Sequence, residues 1–200
     1  MSEAQQEPQG ELPLADQVLG QLLEQHAGGL RAFVRLRSGP MLRSLESTSD
    51  LVQSVCREVL LHRDRFRFPD QDGFRHWLYT MAARKIANRV EYWHAQKRDV
   101  GRLAAVEEAP DLGDVLRCYR SFCSPTGELR TAEEIARIEG AFSQLPEHYR
   151  EVITLSRIAG LSTEAVAREL GRSEDSVRML LFRALARLAE LLERPNPPAA

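Results

Sequence analysis

Hydrophobic residues near the C-terminus recur at helical spacing and predict two short helices joined by a tight turn between Gly160 and Arg187. Ser162 precedes the first apolar run and Ser173 the second, so each serine can cap the helix that follows it. Gly171 lies between them, where a left-handed residue ends a helix without steric cost. The apolar faces comprise Ala165, Val166 and Leu170 in the first helix and Val177, Leu181, Ala184, Leu185 and Leu188 in the second. These faces are expected to pack on each other.

The opposite side of the second helix is basic. Between Ser176 and Ala189 the chain has three arginines and no acidic residue. A compact helix pair that presents a short basic helix has the geometry that enters a DNA major groove, so the pattern predicts a recognition helix from Ser173 to Arg187. Its candidate DNA-binding residues are Ser176, Arg178, Met179, Phe182 and Arg183. An ordinary helical hairpin with a solvated arginine face is the alternative interpretation.

The N-terminal half also has hydrophobic residues at helical spacing, without alternation of period two. A helix is predicted from about Leu14, a second from Gly29 to about Arg37, and a third after Asp50, which can cap it. In the third helix the apolar side comprises Leu51, Val52, Val55, Cys56, Val59 and Leu60, and the outer side comprises Gln53, Arg57 and Glu58.

No glycine or proline interrupts the chain between Phe74 and Asp99, which predicts a single long helix. Its core candidates are Phe74, Trp77, Leu78, Met81 and Ala82, while Arg84, Lys85, Asn88, Arg89, His94, Lys97 and Arg98 interleave with Tyr79, Tyr92 and Trp93. Basic side chains contact phosphates and aromatic rings can stack on unpaired bases, so this helix is a candidate nucleic-acid face. Core packing and favourable contacts with the helix dipole are the alternative roles.

Changes in composition divide the chain into an all-α protein of two small helical domains. An acidic extension is predicted over residues 1–28, a first domain over 29–102, a flexible linker over 103–131, a helix-turn-helix domain over 132–194 and a tail over 195–200. The linker follows from the acidic residues around Pro110 and Gly113, and from the Ser, Pro and Gly residues after Ser121. Cys118 and Cys123 are expected to flank a loop within it.

Composition excludes several classes of function. The net charge of −2 argues against indiscriminate nucleic-acid binding, so the local basic segments matter more than the total. No apolar run could span a bilayer and no signal peptide is visible, so we expect a cytoplasmic protein without membrane insertion. The three cysteines form neither a disulfide framework nor a zinc motif. Scattered histidines and the lack of a glycine-rich phosphate loop indicate neither an enzyme nor a bound cofactor.

Four segments in this order resemble the extracytoplasmic-function (ECF) sigma factors, the compact branch of the bacterial sigma factor family, over about residues 30–192. The first contains the signature Asp-Leu-Val-Gln at residues 50–53. The second is FRHWLYTMAARKIANRVEYWHAQKRD, which resembles the promoter-reading helix, and the third is AFSQLPEHYREVITLSRIAGLS, which opens the second domain. The helix-turn-helix completes the set. Larger members of the family have a further domain where this chain has only the linker.

The resemblance implies a protein that binds core RNA polymerase, directs it to promoter DNA and helps to melt the duplex. By this resemblance, Asp50, Leu51, Gln53 and Glu58 dock on the clamp helices of the largest polymerase subunit. The loop from Phe66 to Gly73 and a DNA-binding set of Arg84, Lys85, Asn88, Arg89, Lys97 and Arg98 hold the non-template strand of the minus-ten element. The exposed face of the recognition helix meets the minus-thirty-five element, and an anti-sigma factor is a further expected partner.

Two alternative functions remain open on the sequence. A stand-alone helix-turn-helix regulator would share the C-terminal domain, but it would not explain residues 50–98. A family member that acts only by partner binding is suggested by Met179, Leu180 and Phe182, because family members usually have small or basic residues at such positions. Apolar side chains can contact either thymine methyl groups or a partner protein.

Overall fold

The structure is a computed structural model that describes residues 14–63, 71–96, 112–123 and 131–193. Over these ranges the chain is helical and contains no β-strand, which confirms the predicted all-α class. The helices are α1 (Leu14–Arg43), α2 (Thr48–Leu61), α3 (Gln71–Gln96), α4 (Leu112–Arg120), α5 (Thr131–Ser143), α6 (Glu147–Ile153) with a π-helical turn (Thr154–Ile158), α7 (Thr163–Leu170) and α8 (Glu174–Glu193). No helix in the described part of the chain is both long and apolar enough to cross a membrane.

Helix α1 begins at Leu14 as expected, but the separate helix predicted from Gly29 to Arg37 is its middle section. The helix is interrupted at Gly39, whose φ of 65° favours glycine, and the next residue is Pro40. Because the apolar residues on both sides of residue 28 are buried in one core, the first turns of α1 are continuous with the first domain.

Helix α2 is capped by Ser47, so the prediction that Asp50 caps it is wrong. The Ser47 hydroxyl accepts a hydrogen bond of 3.0 Å from the backbone N–H of Asp50, which lies in the first turn. Asp50 still interacts favourably with the positive end of the helix dipole. The predicted core of α2 is buried at Leu51, Val52, Val55 and Val59, whereas Leu60 is 41% exposed and is not part of it.

Helix α3 is a single helix, as predicted, although it begins at Gln71. The end of the loop expected from Phe66 to Gly73 is therefore its first turn, and residues 64–70 lie outside the described ranges. Phe74, Leu78 and Ala82 are buried and Trp77 and Met81 pack against the core. Tyr79 was expected to interleave with the basic residues as a base platform, which is wrong. Its ring is 2% exposed and its centroid lies 5.0 Å from that of Phe33.

The segment predicted as a flexible linker contains helix α4, which packs against α1, α5 and the π-helical turn. Val115, Leu116 and Tyr119 form its buried face. Their burial outweighs the cost of about 1 kcal/mol for a helical glycine at Gly113. Cys118 lies within this helix and not beside a loop.

The helix-turn-helix has the predicted caps and turn. Ser162 accepts from the N–H of Ala165 at 3.2 Å and Ser173 accepts from the N–H of Ser176 at 3.3 Å. Gly171 has the left-handed conformation, with φ of 60°. Val166 on α7 is buried, as are Val177, Ala184 and Leu188 on α8, so the apolar faces pack as expected.

Candidate nucleic-acid interface

The exposed face of α8 carries the predicted recognition residues. Ser176, Arg178 and Arg183 are exposed, and the two large apolar side chains between them are also in solvent. Met179 is 52% exposed and Phe182 is 69% exposed. A concavity of about 410 Å³ at the N-terminal half of the helix is lined by Ser176, Met179 and Arg183 among others. The face therefore offers cations, a hydroxyl and apolar groups at one surface.

The two central arginines of this face differ in their partners. Arg178 donates to Asp175 Oδ1 at 2.6 Å and to Glu174 Oε2 at 2.8 Å, so its charge is neutralised within the helix. Arg183 has no ion-pair partner among the residues that the structure describes. A guanidinium without an acidic partner is available to a phosphate or a guanine at no cost in broken ion pairs.

The basic face of α3 is partly neutralised by acids of the first domain. Lys85 lies 3.2 Å from Glu58 on α2, and the Arg89 Nε donates to Glu46 Oε1 at 2.6 Å. Arg84 and Asn88 are exposed. Sequence reasoning missed Glu46, because residues 43 positions apart leave no periodic signal. Lys97 and Arg98 lie outside the described residues.

Two aromatic side chains extend the α3 face beyond Arg89. The Arg89 guanidinium lies 4.8 Å from the ring centroid of Tyr92 and 5.9 Å from that of Trp93. The Trp93 indole N–H donates to Glu46, which fixes that ring, while Tyr92 is 45% exposed. Tyr92, and not Tyr79, is therefore the accessible ring beside the basic residues.

The residues assigned to polymerase docking do not all reach the surface of α2. Asp50 and Gln53 are exposed and Glu58 is partly exposed beside Lys85. Leu51 is only 2% exposed and packs in the domain core, so its assignment as a direct contact is wrong. The burial of Leu51 could be predicted from the sequence, because Leu51 and Val55 are four residues apart and therefore lie on the same apolar face of the helix.

The fold and these faces define the class of the protein. It is an all-helical protein in which a helix-turn-helix domain packs against a second domain that carries a basic helix. Residues 22–97 match the family description "Sigma-70 region 2" and residues 132–188 match "Sigma-70, region 4". The chain therefore belongs to the sigma-70 family of RNA polymerase sigma factors, in its ECF group. Sigma factors bind core RNA polymerase and direct promoter recognition and transcription initiation, and this is the function of the chain.

Relatives and solved structures agree with this assignment. The chain is 28% identical to the ECF RNA polymerase sigma factor SigD of Mycobacterium tuberculosis over 158 residues, which cover 79% of this chain and 69% of SigD. It is 28% identical to the ECF RNA polymerase sigma-E factor of Haemophilus influenzae over 192 residues, covering 92% and 97% of the two chains. The sigma factor RpoE from Bartonella quintana, solved with the anti-sigma factor NepR, shares the fold with a TM-score of 0.61 at 22% identity, covering 90% of this chain and 99% of that one.

Proposed function

We propose that three separate surfaces of the chain bind core polymerase, the melted strand and duplex DNA. The outer side of α2 docks on core polymerase, the basic side of α3 holds the melted minus-ten strand, and the exposed side of α8 reads the minus-thirty-five duplex. The observation that supports this division most strongly is that basic surfaces occur on one helix of each domain, on α3 and on α8. No covalent step is required of any of these surfaces.

The duplex-reading role of α8 follows from Arg183 and the apolar residues beside it. Arg183 can donate two hydrogen bonds to a guanine, and Met179 and Phe182 can contact thymine methyl groups. A double variant, Arg178→Ala with Arg183→Ala, is expected to lower initiation at the cognate promoter while core binding is unchanged. Arg117→Ala, which removes one exposed charge from α4, is the control for a non-specific loss of charge. Loss of core binding in the double variant would contradict the division of labour.

The strand-holding role of α3 rests on Arg84, Asn88 and Tyr92, which are exposed on the helix that also carries Arg89. An extruded base costs a few kcal/mol to unstack, and an accessible ring beside a guanidinium can offset part of that cost. Tyr92→Ala is expected to slow open-complex formation, measured by permanganate reactivity of unpaired thymines. Tyr92→Phe keeps the ring and should retain the rate. An unchanged rate in Tyr92→Ala would exclude this residue as a stacking platform.

The docking role of α2 is supported by an exposed acid and an exposed amide one turn apart, Asp50 and Gln53. Glu58 is a less direct probe, because changing it also releases Lys85. Asp50→Arg with Gln53→Ala is expected to weaken the affinity for core polymerase. The matched control is Glu24→Arg with Gln21→Ala, an exposed acid and amide at the same separation on α1. Equal affinities of both double variants would remove α2 as the docking site.

We propose that an anti-sigma factor controls the chain, as the complex of RpoE with NepR suggests for a protein of this fold. Because Met179 and Phe182 are exposed, binding of a protein partner is a second candidate role of α8. Phe182→Ala distinguishes the two roles of this face. A loss of duplex affinity indicates contact with DNA, whereas unchanged duplex affinity excludes that contact and leaves partner binding as the candidate role of Phe182.

A further inference from the structure

An exposed arginine, Arg172, lies in the turn of the helix-turn-helix. It is placed between Gly171, which ends α7, and Ser173, which caps α8. The backbone N–H of Arg172 donates a hydrogen bond of 2.9 Å to the carbonyl oxygen of Ala167 on α7. This hydrogen bond and the left-handed conformation of Gly171 fix the point on the backbone from which the Arg172 side chain projects.

Arg172 lines the same surface as the recognition residues of α8. We call this surface, which is lined among others by Arg172, Ser176, Met179 and Arg183, the α8 concavity. An α-helix rises about 14 Å between Glu174 and Arg183, and a DNA major groove is about 12 Å wide. The guanidinium groups of Arg172 and Arg183 are therefore far enough apart along the chain to reach opposite edges of one groove.

Neighbouring acids do not neutralise the charge of Arg172. Glu174 and Asp175 follow it closely in sequence, but they accept hydrogen bonds from Arg178, at 2.8 and 2.6 Å. Arg172 has no ion-pair partner among the residues that the structure describes. A phosphate can therefore bind the Arg172 guanidinium without breaking an existing ion pair.

The position of Arg172 favours contact with the DNA backbone over contact with a base. Side chains of a recognition helix reach the base edges because that helix enters the groove. Arg172 precedes the first residue of α8, so it lies outside the helix that enters. A phosphate contact fixes the register and orientation of a protein on the duplex, but it carries no sequence information.

We propose that Arg172 binds a backbone phosphate at one edge of the minus-thirty-five groove and thereby anchors α8 in the register in which Arg183 meets the bases. The inference rests on the proposed duplex-reading role of α8. It assigns the two arginines different contributions. Arg172 supplies affinity for any sequence, whereas Arg183 supplies discrimination between sequences.

The salt dependence of promoter binding separates these two contributions. Holoenzyme assembled from core polymerase and the full chain is titrated onto two duplexes that differ only in the sequence of the minus-thirty-five element. Arg172→Ala should weaken binding to both duplexes by a similar factor, about tenfold, and should lower the logarithmic salt slope by about 0.9. Arg183→Ala should instead reduce the ratio of the two affinities.

Two further variants control for side-chain charge and for folding. Arg172→Lys keeps the positive charge and should retain the wild-type salt slope. Arg117→Ala removes an exposed arginine from α4 and should leave the affinity and the slope unchanged. Circular dichroism should show the same helix content in every variant. If Arg172→Ala loses helix content, Arg172→Gln, which keeps a longer uncharged side chain, replaces it and carries the same expectations.

Neutral methylphosphonate linkages locate the phosphate. Each phosphate of the minus-thirty-five element is replaced in turn, and the wild-type holoenzyme should lose affinity at a few of these positions. Arg172→Ala should become insensitive at one of them, whereas Arg183→Ala should remain sensitive at that same position. A purely structural role of Arg172 would not remove sensitivity at a single phosphate. A wild-type salt slope in Arg172→Ala, or the wild-type set of sensitive phosphates, would overturn the anchor.

Arg183→Ala distinguishes failure of the anchor from failure of the proposed function. If Arg183→Ala loses discrimination while Arg172→Ala behaves as the wild type, α8 reads the duplex without Arg172, and only the anchor is excluded. If neither variant differs from the wild type on either duplex, α8 does not read the duplex, and the anchor fails together with the proposed function.

Discussion

On α8, Arg178 and Arg183 differ in the charges that already surround them. Arg178 must break its ion pairs with Glu174 and Asp175 before it contacts DNA. Arg183 has no acidic partner in the described ranges. An exposed intrahelical ion pair stabilises a helix by only a few tenths of a kcal/mol, but its carboxylates also repel a phosphate. Two arginines that look equivalent in the sequence are therefore unequal in the structure.

Single substitutions on α8 should reveal this difference. Arg183→Ala is expected to weaken binding to the cognate upstream duplex by about 1 to 3 kcal/mol if the side chain reads a guanine. Arg178→Ala should cost less, because its guanidinium is already neutralised. Fluorescence anisotropy with duplexes that differ at single base pairs measures both effects. A larger loss in Arg178→Ala would reverse the assignment.

Glu46 controls how much positive charge α3 presents. It accepts hydrogen bonds from both Arg89 and Trp93. Glu46→Gln removes the carboxylate charge that neutralises Arg89, so binding of single-stranded DNA should strengthen and its logarithmic salt slope should steepen by up to about 0.7. Glu91→Gln removes an exposed acid from α3 itself and should change the salt slope less. Equal slopes in the two variants would show that Glu46 does not mask Arg89.

At the scale of helices, local sequence signals such as capping residues predict some helix boundaries correctly and others wrongly. Ser162, Gly171 and Ser173 act within one turn of their own position, so the helix-turn-helix could be predicted closely. The start of α2 was misjudged because Ser47 and Asp50 are both good capping residues, and only the fold shows which one precedes the helix. Tyr79 was misjudged because a phenol ring fits a core as well as a nucleic-acid face.

Replacing either of two glycines, Gly171 or Gly140, by alanine should change the free energy of unfolding, but in opposite directions. Gly171→Ala places a side chain at φ of 60°, which is expected to destabilise the helix-turn-helix by about 1 to 2 kcal/mol. Gly140→Ala lies within α5, where an added Cβ meets no atom within 4 Å, and should stabilise the chain by about 0.5 to 1 kcal/mol. Chemical denaturation followed by circular dichroism compares the free energies of unfolding. A neutral Gly171→Ala variant would show that the turn adopts another conformation in solution.

At the scale of the whole molecule, the contacts that join the domains could not be predicted from the sequence. Arg35 and Glu139 are separated by 104 positions, and neither periodicity nor capping relates residues at that distance. Helix α4 was missed for a related reason, since its buried face of Val115, Leu116 and Tyr119 becomes informative only when α1 and α5 are beside it. The sequence predicted the family and most of the helices, and the structure adds α4 and the way in which the domains pack.

Run-off transcription with purified core polymerase tests the central claim most directly, using as template the DNA immediately upstream of the gene that encodes this chain. The wild type should bind core and produce a discrete transcript that core alone does not make. The Arg178→Ala and Arg183→Ala double variant should bind core equally well and produce much less of it. Failure of the wild type to bind core, or equal transcription by the double variant, would contradict an account in which one domain recruits polymerase and α8 selects the promoter.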